Sequence, residues 1–150
     1  MTVDAFDADV LIYAAVPNHP LGRRVAALLT AESEAQSDVE GLGLAGVGSL
    51  TLVPEVLSKP IQANRIEDLA VLTYYLTRLD LLPVNPVTAD AAAVIAARYR
   101  LKAIDAIHLA TAILVGADRF ITNNRRDFSA TAIREITITY PEDLPEPGAA

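Results

Sequence analysis

The sequence predicts an α/β fold: one α/β/α sandwich around a mostly parallel central sheet. Two observations carry the prediction. Short runs of strand composition alternate with segments of helical apolar spacing along the whole chain, the pattern of a sheet covered by helices. At 150 residues and 52% hydrophobic, the chain also has the length of a single domain and enough apolar residues for its own core. Neither an internal repeat nor a second domain is visible.

Each element follows from local chemistry. Residues 3–12 read as a short strand running into a turn and a helix. Leu21, Val25, Leu28 and Leu29 give helical spacing over 21–29. A polar stretch follows, and Gly41, Gly43, Gly46 and Gly48 mark a loop insertion over 32–48. Ser49 to Val53 has strand composition, with Pro54 suited to the first position of the next helix. A longer helix spans Asn64 to Leu79, and Leu81 to Val84 form a strand or sheet edge. Thr88 is placed to cap a helix through Tyr99, with Asp90 in its first turn. Another helix runs from about Ile104 to Val115 and stops at Gly116. Arg119–Thr122 and Glu135–Tyr140 are the last strands. The domain is thus read as 1–140, and 141–150 as an irregular, acidic, Pro-rich tail.

Composition excludes several functions. With no Cys, disulfide frameworks, thiolate zinc sites and thiol catalysis are ruled out, and any catalytic metal should be bound by oxygen. The lack of Cys also fits a reducing, cytoplasmic setting. No apolar run approaches the ~20 residues of a membrane helix, and the acidic start Met1-Thr2-Val3-Asp4 is unlike a secretory signal. Twelve Lys and Arg stand against 19 Asp and Glu, a formal charge of -7, which argues against coating nucleic acid by charge alone. The charge is uneven, however. Glu32, Glu34, Asp38 and Glu40 crowd one segment and Glu142, Asp143 and Glu146 the tail. Arg98, Arg100, Lys102, Arg119, Arg125 and Arg126 are opposed between positions 98 and 126 only by Asp105 and Asp118, a stretch able to meet phosphates.

Sites in parallel sheets form outside the carboxyl ends of the strands, so acids placed there are the candidates. Asp7 follows the first strand, Glu55 the strand ending at Val53, and Asn123, Asn124 and Asp127 the strand ending at Thr122. Asp105 opens an apolar helix between Ile104 and Ile107, where an unpaired carboxylate is costly. Asp9 reads as support for a turn or cap, and Asp4 as solvent-facing. Hard divalent cations take such oxygen ligands, and a metal so held can activate water and neutralise charge on a phosphate.

These segments resemble a family. Asp7-Ala8-Asp9-Val10-Leu11-Ile12-Tyr13-Ala14 is similar to the opening motif of PIN-domain proteins, and Val53-Pro54-Glu55-Val56-Leu57 to their second. Residues Leu101 to Ala112, around Asp105, are the most specific match, and Gly116 to Phe128 resemble the last motif. The resemblance implies a metal-dependent ribonuclease, often the VapC-like toxin of a toxin–antitoxin pair. It implies Asp7 and Asp105 holding Mg²⁺ or Mn²⁺, Glu55 completing the cluster, and Thr122 shaping the site. Asn124 stands where many relatives carry a fourth acid; an amide can orient water or phosphate but brings no charge. Arg100, Lys102, Arg125 and Arg126, with Thr122, are then expected to meet RNA, and Tyr99 is read as a partly buried helix residue.

Two other readings stand beside this one. Asp7-Ala8-Asp9 also looks like the start of haloacid-dehalogenase-type phosphatases, but no Lys follows Thr122. A degenerate PIN domain serving as a non-catalytic RNA-binding or interaction module is the other, motivated by Asn124. His19 has no recognisable catalytic partner, and His108, three residues after Asp105, reads as a packed, hydrogen-bonded residue. The apolar content suggests a covered surface: a homodimer first, an antitoxin second, with the helix bearing Tyr74 and Tyr75 as contact element.

Overall fold

A computed structural model describes residues 2–31 and 43–148. The acidic residues Glu32 to Glu40 and Gly41, assigned to the loop insertion, lie outside the described residues. Among these residues the α-helices and strands are, in order, β1 (Asp4–Phe6), α1 (Ala8–Ala14), α2 (Pro20–Thr30), β2 (Gly46–Ser49), α3 (Leu52–Gln62), α4 (Ile66–Thr77), β3 (Leu79–Leu82), α5 (Pro86–Tyr99), α6 (Ala103–Leu114), β4 (Arg119–Ile121) and β5 (Thr137–Thr139). The strands lie in the order β3-β2-β1-β4-β5, and every pair is parallel.

Side chains alternate across the sheet, as strand geometry requires, and this sorts the core into two layers. Ala5 and Phe120 point to the face covered by α5 and α6, where Ile95, Leu109, Phe128 and Ile138 are buried. Phe6 and Ile121 point to the other face, against Leu11, Val25, Leu29, Val56, Leu72 and Leu76 of α1 to α4. The expected α/β/α sandwich is the observed fold, with a sheet that is wholly parallel.

Several local expectations are corrected. Gly46 and Gly48 belong to β2 rather than to a loop. Glycine is needed at 46 because a Cβ there would stand 2.2 Å from the Asp4 carbonyl oxygen of the neighbouring strand. The strand expected over 49–53 is therefore shifted back, and Pro54 is the third residue of α3, not the first. Asn85, not Thr88, caps α5: its Oδ1 accepts from the Thr88 amide at 2.9 Å, with Pro86 next in line. His19 caps α2, its Nδ1 accepting from the Gly22 amide at 3.0 Å. Gly116 ends α6 as expected, at φ +77°.

Asp4, read as solvent-facing, is buried. It pairs with Arg119, whose Nε and Nη2 donate to its two oxygens at 2.8 and 3.0 Å, the two residues being in register across β1 and β4. The tail is not irregular throughout. Pro141–Asp143 form a 3₁₀ turn, and Leu144 is 2% exposed in the core. Arg24 of α2 donates to the carbonyls of Glu142 and Leu144, both at 2.8 Å, holding this segment down. Among the described residues no helix is long and apolar enough to cross a membrane.

Candidate active site

The carboxyl edge of the sheet gathers the predicted acids. Asp7 leaves the central strand β1 and caps α1. Its backbone amide donates to the Ile121 carbonyl at 2.9 Å, its Oδ1 accepts from the Ala8 amide at 2.8 Å, and its Oδ2 accepts from the Thr122 hydroxyl at 2.8 Å. Glu55 stands in the first turn of α3 and Asp105 in the first turn of α6. The β2–α3 turn leading to Glu55 is secured by Ser49, whose Oγ accepts from the Thr51 amide at 3.2 Å.

The loop after β4 is tied to the same acids. The Thr122 Oγ accepts from the Asn124 amide at 3.1 Å. Asp9 Oδ2 accepts from the Asn123 amide at 3.1 Å. Asn124 donates from Nδ2 to Asp127 Oδ2 at 2.9 Å and accepts from the Asp127 amide at 3.2 Å. The amide at the expected fourth-acid position is thus engaged with Asp127.

The acids act on one another's titration. Burial raises the Asp7 carboxyl above its ordinary range, against the opposing pull of His108 and of the Thr122 and Ala8 hydrogen bonds. Asp9 is pushed up to about 7, first by burial and then by the Asp7 charge. Asp105 is raised by burial and by the charges of Asp7, Glu55 and Asp127. Burial is the first cause in all three, and neighbouring carboxylates add to it.

The donor set suits a hard cation. Every candidate ligand is a carboxylate oxygen, and Asp9 Oδ1 is buried with no hydrogen-bond partner among the described residues. Asp7, Asp105 and Glu55 could hold such an ion, which would relieve their repulsion. No three of these groups form a ready-made metal cage among the described residues, and Glu55 Oε2 lies 2.5 Å from His108 Nε2. A magnesium ion needs only one or two carboxylates besides water.

The basic stretch is not one face. Arg98 pairs with Glu135 at 3.1 Å. Arg119 is held by Asp4 at the amino ends of the strands, away from Asp7. Arg125 pairs with Glu142 and lies 4.1 Å over the Tyr140 ring. Arg100, Lys102 and Arg126 are exposed, Arg100 in a left-handed conformation, φ 56°, at the turn from α5 to α6. Thr122 is fully buried and its hydroxyl donates to Asp7, which leaves it no surface to offer an RNA. Tyr99 is half-buried and donates to Glu135.

Sequence reasoning gives Asp9 only the support of a turn or cap, although its place two residues after Asp7 is an available signal. His108 is the packed, hydrogen-bonded residue that its helix position suggests, but its partner Glu55 lies 53 residues away and leaves no local trace.

Fold and site together define a parallel α/β/α domain with an acid-lined site at the carboxyl edge of its sheet. The chain belongs to the PIN domain family, whose match spans residues 5–134. No curated protein matches it. Among solved structures it is similar to a chain of a toxin–antitoxin complex from Klebsiella pneumoniae, with 24% identity, a TM-score of 0.59, and 93% of this chain and 98% of that one covered. That likeness speaks for the fold.

Proposed function

We propose that this chain is a metal-dependent endoribonuclease, its nuclease domain spanning 1–140, and the toxin of a toxin–antitoxin pair. The observation that supports this best is the meeting of Asp7, Glu55 and Asp105, each from a different element, as mutually repelling carboxylates at one sheet edge. Asp7 and Asp105 would hold Mg²⁺ or Mn²⁺, with Glu55 completing the set. Such a cation, when bound, supplies a Lewis acid and an activated water for hydrolysis of a phosphodiester.

The chain's own groups do the positioning. Thr122 fixes the Asp7 carboxylate through Oδ2 while the Ala8 amide holds Oδ1. Asp9 anchors the loop after β4 through the Asn123 amide, and Thr122 ties the same loop to Asp7. Asn124 adds no charge and secures Asp127, whose carboxylate adds to the field on Asp105. The exposed Arg100, Lys102 and Arg126 would hold RNA phosphates on either side of the acids.

An antitoxin is the partner proposed from the Klebsiella neighbour's description as a toxin–antitoxin complex. An apolar groove lined by Ile12, Val16, Val56, Pro60 and Leu72 runs up to Glu55 and supports a peptide partner near the site. A homodimer, working in the cytoplasm, completes the reading; Ile66, Val71 and Tyr74 on the outer face of α4 are exposed apolar surface for one of these contacts.

The test is direct. Purified protein with Mn²⁺ should cleave a labelled structured RNA, and both chelation and Asp7→Asn should abolish cleavage. Binding without cleavage would overturn the nuclease reading in favour of the non-catalytic module that Asn124 suggests.

A further inference from the structure

We propose that His108 is a positioning residue of this site, holding Glu55 in place for the cation through a single side-chain bond. The inference rests on the metal-dependent reading above. His108 lies on α6 three residues after Asp105, so the two side chains share one helical neighbourhood. Its side chain is 0% exposed, while that of Glu55 is 32% exposed. The imidazole is therefore fixed by packing, and the more mobile carboxylate is fixed by the imidazole. The helices themselves do little of this: α3 packs chiefly on α4 and α1, and α6 on α5 and β2. The bond at 2.5 Å between His108 Nε2 and Glu55 Oε2 links α6, one turn beyond Asp105, to the first turn of α3, which carries Glu55.

The direction of the bond follows from the other ring nitrogen. His108 Nδ1 is buried and has no partner among the described residues. A proton there would be a buried donor without an acceptor, whereas the Nε2–H tautomer leaves only a lone pair at Nδ1. The imidazole so arranged donates to Oε2 and leaves Glu55 Oε1 for the cation or its water. Hydrogen bonds of this kind to a ligating carboxylate set its orientation, and losing one typically lowers metal affinity by about 10–100-fold.

The experiment is Mn²⁺ titration of the full chain by calorimetry, with thermal melts in EDTA as the check on folding. His108→Gln offers an amide donor in place of Nε2; His108→Leu keeps the bulk and removes the donor. Asp7→Asn is the control for the metal reading. The expected result is an Mn²⁺ affinity reduced at least about tenfold in His108→Leu and restored to within a few-fold of wild type in His108→Gln. Two results would overturn the inference while leaving the metal site standing: His108→Leu binding Mn²⁺ like wild type while Asp7→Asn does not, or His108→Gln losing affinity as far as His108→Leu. If His108→Leu does not fold, the Gln variant decides alone, by retaining affinity or losing it. Binding that Asp7→Asn leaves unchanged would instead overturn the metal reading, and this inference with it.

Discussion

Replacing Asp9 by Asn should stabilise the metal-free protein at alkaline pH and leave it nearly unchanged in acid. The Asp9 carboxyl is raised from 3.8 to about 7, so between about pH 4 and 7 the folded chain keeps a proton that the unfolded chain has lost. Stability must then fall as pH rises through that window, and above it the folded state carries the full burden of a charged, buried acid beside Asp7. A shift of roughly three units corresponds to a ceiling of about 4 kcal/mol. Asp7 shares the same field, so a gain of about 1–3 kcal/mol is expected for the variant. Asn keeps an oxygen able to accept from the Asn123 amide while removing the charge. Urea unfolding in EDTA at pH 4 and pH 8 measures the difference. An equal gain at both pH values, or a variant less stable at pH 8, would show that burial and the Asp7 charge do not govern Asp9.

Two further outcomes follow from the packing. Leu144→Ala should cost about 2–5 kcal/mol in chemical denaturation, the range for deleting a fully buried leucine side chain; a loss under about 1 kcal/mol would mean that the segment after β5 is not part of the core. Thr122→Val removes the hydroxyl that donates to Asp7 and accepts from the Asn124 amide. It should lower stability by about 1–3 kcal/mol, and a change within about 0.5 kcal/mol would remove Thr122 from the network that holds Asp7.

Much of the fold is legible where apolar density and caps agree. The helix read as 104–115 is observed as Ala103–Leu114, because a dense apolar run ends in a glycine that can take positive φ. Strand β2 was illegible because glycine is depleted in strands, and the reason for Gly46 is a backbone in another strand. Asp4 was misread for a similar cause, since its partner Arg119 lies 115 residues away. In the α5 cap, the Asn85-Pro86 pair was the better signal and Thr88 drew attention only by its type. At the site, apolar flanks and position after strands pointed to Asp7, Glu55 and Asp105. The engagement of Glu55 by His108, and of Arg98, Arg119 and Arg125 by acids, depends on chain segments that local patterns do not relate.

The central position of β1 has a consequence for synthesis. This strand is made first, yet one of its neighbours is β4, and the Asp7–Thr122 bond spans 115 residues. Until β4 has left the ribosome, β1 lacks its partner on that side and Asp7 lacks the hydroxyl that fixes it. Contacts of such long range form late and slowly, so the acids of a nascent chain remain unassembled until nearly the whole domain is made.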